Sequence, residues 1–256
     1  MKNNKKVNES SLVLNDLSES LKRHNQEIAT SKVMKYIGET ILPMYANYPY
    51  IRHGLVHQSR KLLTVETIFT HCKDIYQDFD ESTVLLATAL NDIGYVANEF
   101  NYQYYMPNPG LPRRKFIEEH QKEIEDIIPI KLDMFGYNPL IGSLIACGDN
   151  ISGKSGYRIN PYSILLHDID ALTLAITYGQ DPSELAMLIK FDKLKVNPMM
   201  NEPDAYEEAV HSLQTMYGVN GTCRLANMKV KSCQYLYQKY NVFSTKVSEL
   251  SPVKIF

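Results

Sequence analysis

Glu81-Ser-Thr-Val84-Leu-Leu-Ala-Thr-Ala-Leu90-Asn91-Asp92-Ile-Gly94-Tyr95 is the stretch on which the reading of the fold turns. From Val84 to Leu90 it is almost wholly apolar, which fits a helix buried on most of its circumference. It then ends on a carboxylate beside a glycine turn. An isolated buried charge is too costly to keep, so Asp92 must be paired, hydrogen-bonded or bound to a cation. The plainer alternative is an aspartate that caps the turn at Gly94.

Helical spacing continues on both sides of this stretch. Upstream, Ile37, Ile41, Leu42 and Met44 mark one apolar face, and Leu55, Leu62, Leu63, Val65, Ile68 and Phe69 mark the next. Downstream, helical segments are expected near 115–128, 138–149, 160–177, 183–196, 203–217 and 221–240. Asn160-Pro161 starts a helix with proline at a tolerated position, and Asp181-Pro-Ser-Glu184 reads as a capped entry. No segment alternates with period two, so the expected class is all-α, in one domain over residues 31–240. Residues 1–30 are polar and weakly patterned and are read as a mobile arm, and 241–256 as a C-terminal tail. The Tyr-, Asn- and Pro-rich stretch 98–114 is read as a long loop, placed directly after Asp92 as a lid would be.

Bulk composition narrows the function classes. The chain has 256 residues, 44% of them hydrophobic, and a net charge of -2, so it has no general attraction for nucleic acid or an anionic membrane. No apolar run approaches the roughly 18 residues that span a bilayer. The start is basic but lacks the apolar core of a signal peptide, which gives a cytoplasmic expectation. The four cysteines (Cys72, Cys147, Cys223 and Cys233) have no CxxC spacing and are expected as reduced thiols.

Chemistry-bearing residues gather in a recognisable order. His53 and His57 are four apart, although Gly54 places the helix start between them. Asp170 lies among Ile164, Leu165, Leu166, Leu172 and Leu174, in a helix that reads as buried. His57, Asp92 and Asp170 are then hard or borderline donors from three helices, a set suited to Mn, Mg, Fe or Ni rather than to structural zinc. Asn91 stands where a second imidazole would complete the set. Lys154 and Arg158, in the glycine-rich turn Ser152-Gly-Lys-Ser-Gly-Tyr-Arg158, are candidates for contact with a phosphate, as are Arg113 and Arg114 on the loop. The turn lacks the leading glycine of a phosphate-binding P-loop. Tyr105, with Tyr102 and Tyr104, either stacks on a base or packs the loop.

The order His53-x-x-x-His57-x-x-x-Lys61 with Arg60 beside it, an apolar helix ending in Asn91-Asp92-Ile-Gly-Tyr, and a late Asp168-x-Asp170-x-Leu172 resembles the HD superfamily over roughly residues 50 to 175. The resemblance implies an HD-domain-like helical bundle and a metal-dependent phosphohydrolase. It sets His57 as the first metal ligand, Asn91-Asp92 as the His-Asp pair and Asp170 as the closing aspartate. It also sets His120 as the histidine some members use for a second metal. Gly148 stands where another histidine often falls, so with Asn91 the sequence departs from the pattern twice, and a single ion is expected. The His167-Asp168 dipeptide fits the closing segment rather than the eponymous pair.

The expected function is hydrolysis of a nucleotide or related phosphoester through one divalent metal ion. Asp92 would hold the ion, and Lys154, Arg113 or His53 would neutralise phosphoryl charge. The alternatives are a catalytically inactive HD-like module that binds a nucleotide-like ligand or a protein partner and, ranked lower, an HD-type iron oxygenase. The expected partner is a small phosphorylated molecule, with oligomerisation left open.

Overall fold

The computed structural model describes residues 15–20, 22–23, 26–97, 110–128, 161–222 and 232–252. Every regular element among them is helical, and no strand occurs among the described residues. The chain divides into two compact units. One comprises Met1–Pro49, His53–Glu99 and Met106–Ile169, and the other Tyr50–Arg52, Phe100–Tyr105 and Asp170–Phe256.

The first unit opens with two short helices, α1 (Gln26–Ala29) and α2 (Lys32–Tyr36). Ser31 caps α2 by accepting from the Met34 amide. A π-helical turn follows at Ile37–Ile41, where the Leu42 amide reaches back to the Ile37 carbonyl, and α3 (Leu42–Asn47) continues from it. Next come α4 (Leu55–His71), α5 (Lys73–Tyr76), α6 (Glu81–Asn91), α7 (Ile93–Val96), α8 (Gly110–Glu119) and α9 (Gln121–Ile127).

Helix α6 is the centre of this unit. Asp80 caps it, its carboxylate accepting from the Thr83 amide at 2.7 Å. From Thr83 to Leu90 every side chain is buried. Each leucine so buried contributes about 2 kcal/mol of transfer free energy. Helix α4 packs against it and buries Leu62, Val65, Ile68 and Phe69, the apolar face foreseen from its spacing.

The segment before α1 is partly docked: Leu17 is buried, and Ser20 Oγ donates to Glu66 on α4 at 2.8 Å. The expected loop 98–114 gives way to helix at Gly110, so Arg113 and Arg114 lie on α8. Pro112 is compatible because the first-turn N–H groups of a helix have no internal partner. The expected 115–128 helix is broken at His120, whose backbone (φ -103°, ψ 11°) leaves the helical region.

Helix α10 (Pro161–Tyr178) starts at the foreseen proline and supplies residues to both units. The second unit continues with α11 (Pro182–Val196), α12 (Glu202–Tyr217) and α13 (Gln234–Ser248). Asp181 caps α11 through the Ser183 amide, and Asn201 caps α12 through the Asp204 amide. Helix α11 packs on α12, and both pack on α13. Residues 241–248, expected in a tail, form the second half of α13 and bury Phe243, Ser244 and Val247. Within this unit the buried Asp192 carboxylate accepts the Ile51 and Arg52 amides at 3.0 and 2.8 Å. Cys72 and Cys233 are each disulfide-bonded, which corrects the expectation of reduced thiols at those two positions. The helix expected at 138–149 lies outside the described residues. No helix among the described residues is long and apolar enough to cross a membrane.

Candidate metal centre

The centre is built on the C-terminal end of α6. The last carbonyls of a helix have no internal partner and must be satisfied from outside. Three neighbours supply side-chain donors. Gln58 Nε2 on α4 donates to the Thr88 carbonyl at 2.7 Å, and the Tyr45 hydroxyl on α3 to Ala89 at 2.8 Å. Arg113 Nη1 on α8 donates to the Asn91 carbonyl at 2.9 Å. These bonds fix where the helix stops and hence where Asp92 stands.

Asp92 caps nothing with its side chain, so the plainer alternative fails. Its Oδ2 is instead met by three nitrogen-bearing side chains. Lys61 Nζ lies 3.0 Å away, His53 Nδ1 3.2 Å and His57 Nε2 3.7 Å. His57 and Lys61 are four apart on α4 and therefore share a face. His53 precedes the helix and takes a left-handed backbone (φ 59°), an unfavourable conformation for a side chain of this size. Its ring stacks on Tyr95, with centroids 3.9 Å apart, and stands edge-on to His57.

Burial pushes the Asp92 carboxyl up, but the Lys61 charge, aided by His53 and His57, outweighs it and holds the group well below its usual range. Burial drives the Tyr45 phenol well above its usual value, and the Asp92 charge adds to this while Arg113 opposes it. Tyr45 therefore lies within electrostatic reach of both charges.

His53, His57 and Asp92 each offer one ligand atom, and the three atoms lie within 4.8 Å of one another. They form the one group of this kind among the described residues, and it could hold a metal ion. Imidazole and carboxylate together suit a borderline divalent ion. Such an ion would compete with the Lys61 ammonium for Asp92 Oδ2.

The other expected ligands are not in this group. Asn91 turns its side-chain oxygen toward Arg113 Nη1 at 3.3 Å. His120 stacks on Phe116, and its Nδ1 lies 2.9 Å from Glu123 Oε2. Asp170 belongs to the second unit and is half-buried. Asp168, its neighbour in the His167-Asp168 dipeptide, is fully buried and accepts from the Tyr76 hydroxyl at 3.1 Å. Tyr105, Lys154 and Arg158 lie outside the described residues, and Arg114 is placed only by its backbone on α8.

His53 stands in the ligand group itself rather than only near a substrate phosphate. Lys61 was not anticipated at all. Its signal was available: a lysine one turn after His57, set between Leu62 and Val65 on a helix that buries that side, is poorly placed to reach water. Tyr45 and Tyr95 carried no comparable mark. No family model matches this chain, and no curated protein or solved structure does.

Proposed function

We propose that the chain is an HD-like phosphohydrolase that acts on a nucleotide or related phosphoester at a single divalent ion held by His53, His57 and Asp92. The observation that carries this reading is the convergence of the three ligand atoms within 4.8 Å at the end of α6. The motif order in the sequence supplies the substrate class. When bound, such an ion lowers the pKa of its water and polarises a phosphoryl oxygen.

The chain's own residues do the rest. Asp92 stays ionised and available as a ligand because Lys61 offsets its burial. Tyr95 restricts the His53 ring by stacking on it, the kind of outer support that orients a ligand imidazole. A single three-residue group favours the mononuclear hydrolase over an oxygenase that needs a pair of irons.

A second reading is favoured by the 3.0 Å contact between Lys61 and Asp92. The ammonium already neutralises the carboxylate, so the centre can be a metal-free module that binds a phosphorylated ligand. Metal analysis of the purified chain and its Asp92→Ala variant, with a phosphoester turnover screen, decides between the readings. The hydrolase reading expects bound metal and metal-dependent turnover in the wild type, both lost in the variant. Thermal stabilisation by a nucleotide, with no metal content and no turnover, would replace it by the binding module.

A further inference from the structure

Arg113 is the other cation of this region, and most of its hydrogen-bonding capacity is unspent. The side chain is 2% exposed. Nη1 is committed to Asn91, bonding its carbonyl at 2.9 Å and lying 3.3 Å from its side-chain oxygen. Nε and Nη2 are buried and have no hydrogen-bond partner among the described residues. The guanidinium makes no ion pair with any described carboxylate, and its acceptors on Asn91 are uncharged.

The two unspent atoms lie on one edge of the planar group. Nε–H and Nη2–H point the same way, in the side-on fork that receives two oxygens of a carboxylate or phosphate. The local charge count agrees. Lys61 and Arg113 are two permanent cations, and Asp92 is the one carboxylate near them, already paired with Lys61. His53 and His57 add positive charge whenever they are protonated. A buried guanidinium is expensive unless both its charge and its donors are met, and an oxyanion bound along the free edge meets both.

We propose that the Nε/Nη2 edge of Arg113 is an oxyanion subsite that takes the phosphoryl group of the ligand directly, without a metal ion between them. The inference deepens the phosphoester reading and rests on it for the ligand class. A singly or doubly charged phosphate balances the excess positive charge, and two of its oxygens match the fork.

The test titrates inorganic phosphate into the chain stripped of metal with EDTA, followed by calorimetry. The wild type is expected to bind phosphate saturably. Arg113→Lys keeps the charge but loses the fork, and should weaken binding about tenfold or more. Lys115→Gln, on the exposed side of α8, should leave binding unchanged. Absence of saturable binding to the metal-free wild type overturns the proposal, as does equal affinity in Arg113→Lys. The wild type also carries a readout that needs no variant. Its buried Nε–H should give an exchange-protected arginine side-chain resonance that phosphate shifts, and a protected resonance unmoved by added phosphate overturns the proposal.

The failure of each reading is distinguishable. Metal-free phosphate binding with no phosphoester turnover keeps the subsite and removes the hydrolase. Metal-dependent turnover that Arg113→Lys leaves unchanged removes the subsite and keeps the hydrolase.

Discussion

Lys61→Met removes the ammonium while keeping an unbranched, largely apolar side chain of similar length. Lys61 Nζ and Asp92 Oδ2 are 3.0 Å apart, and both side chains are at least nine-tenths buried. At an effective dielectric of about 20, opposite charges at that distance attract by about 5–6 kcal/mol. The net loss is smaller, because the lysine no longer has to be desolvated and the imidazoles of His53 and His57 can take up a proton beside Asp92. Removing one partner of a buried pair costs about 3–5 kcal/mol, and with the imidazoles present the lower end applies, about 3 kcal/mol. For a chain of this size that lowers the melting temperature by about 6–12 °C. Urea denaturation followed by circular dichroism measures the loss. Asp92→Asn and the double variant Lys61→Met/Asp92→Asn complete a thermodynamic cycle. The double variant should be markedly more stable than the sum of the single losses allows, because neither charge is then stranded. A Lys61→Met loss below about 1 kcal/mol, or simple additivity in the cycle, would refute the assignment of Lys61 as the neutralising partner. On the hydrolase reading the same variant should also take up Mn(II) more tightly, since the ion no longer competes with an ammonium.

The depressed Asp92 carboxyl has a signed consequence in acid. Its contribution to stability is complete above the ordinary value of 3.8 and is lost as pH falls from there through the lower folded-state value. Asp92→Asn should therefore flatten the fall of stability below about pH 4, and equal acid slopes in variant and wild type would count against the shift. Tyr45→Phe deletes the hydroxyl that meets the Ala89 carbonyl and should cost about 1–2 kcal/mol in the same urea assay; an unchanged midpoint would show that the carbonyl finds another donor. Alkylation of the denatured, unreduced chain should leave the Cys72 and Cys233 peptides unlabelled, and prior reduction should expose both. Label on either without reductant rejects the disulfide-bonded state.

The sequence made the buried helices legible because their residues speak for themselves. An unbroken apolar run marks α6, and prolines with capping residues mark the starts of α10, α11 and α12. The start of α8 was hidden because its prolines read as loop, although a helix's first turn accommodates proline without losing a bond. The break at His120 was hidden for the opposite reason: it needs only a local change in backbone angles, and no glycine or proline announces it.

At the centre, His57 and Asp92 were legible as a donor pair, and His53 was noticed but given another task. Asp170 and His120 rested on the resemblance, which fixes chain order and not the direction in which a side chain points. Lys61 was passed over because lysines are usually solvated. Its meaning came from its neighbours, since only burial beside a carboxylate turns a common surface residue into part of the site.

The π-helical turn at Ile37–Ile41 makes the centre sensitive to chain length in a region remote from its donors. An α-helix turns the side chains by about 100° per residue, and the turn accommodates one residue more than an α-helical turn would. Deleting one residue there would restore a regular helix and swing everything after it by roughly that angle. Tyr45 would leave the Ala89 carbonyl, and the end of α6 would lose one of the three side-chain donors that fix it. A substitution in the same turn keeps the register whatever it does to packing. Residues 37–41 therefore act as a spacer whose length is constrained more tightly than its composition.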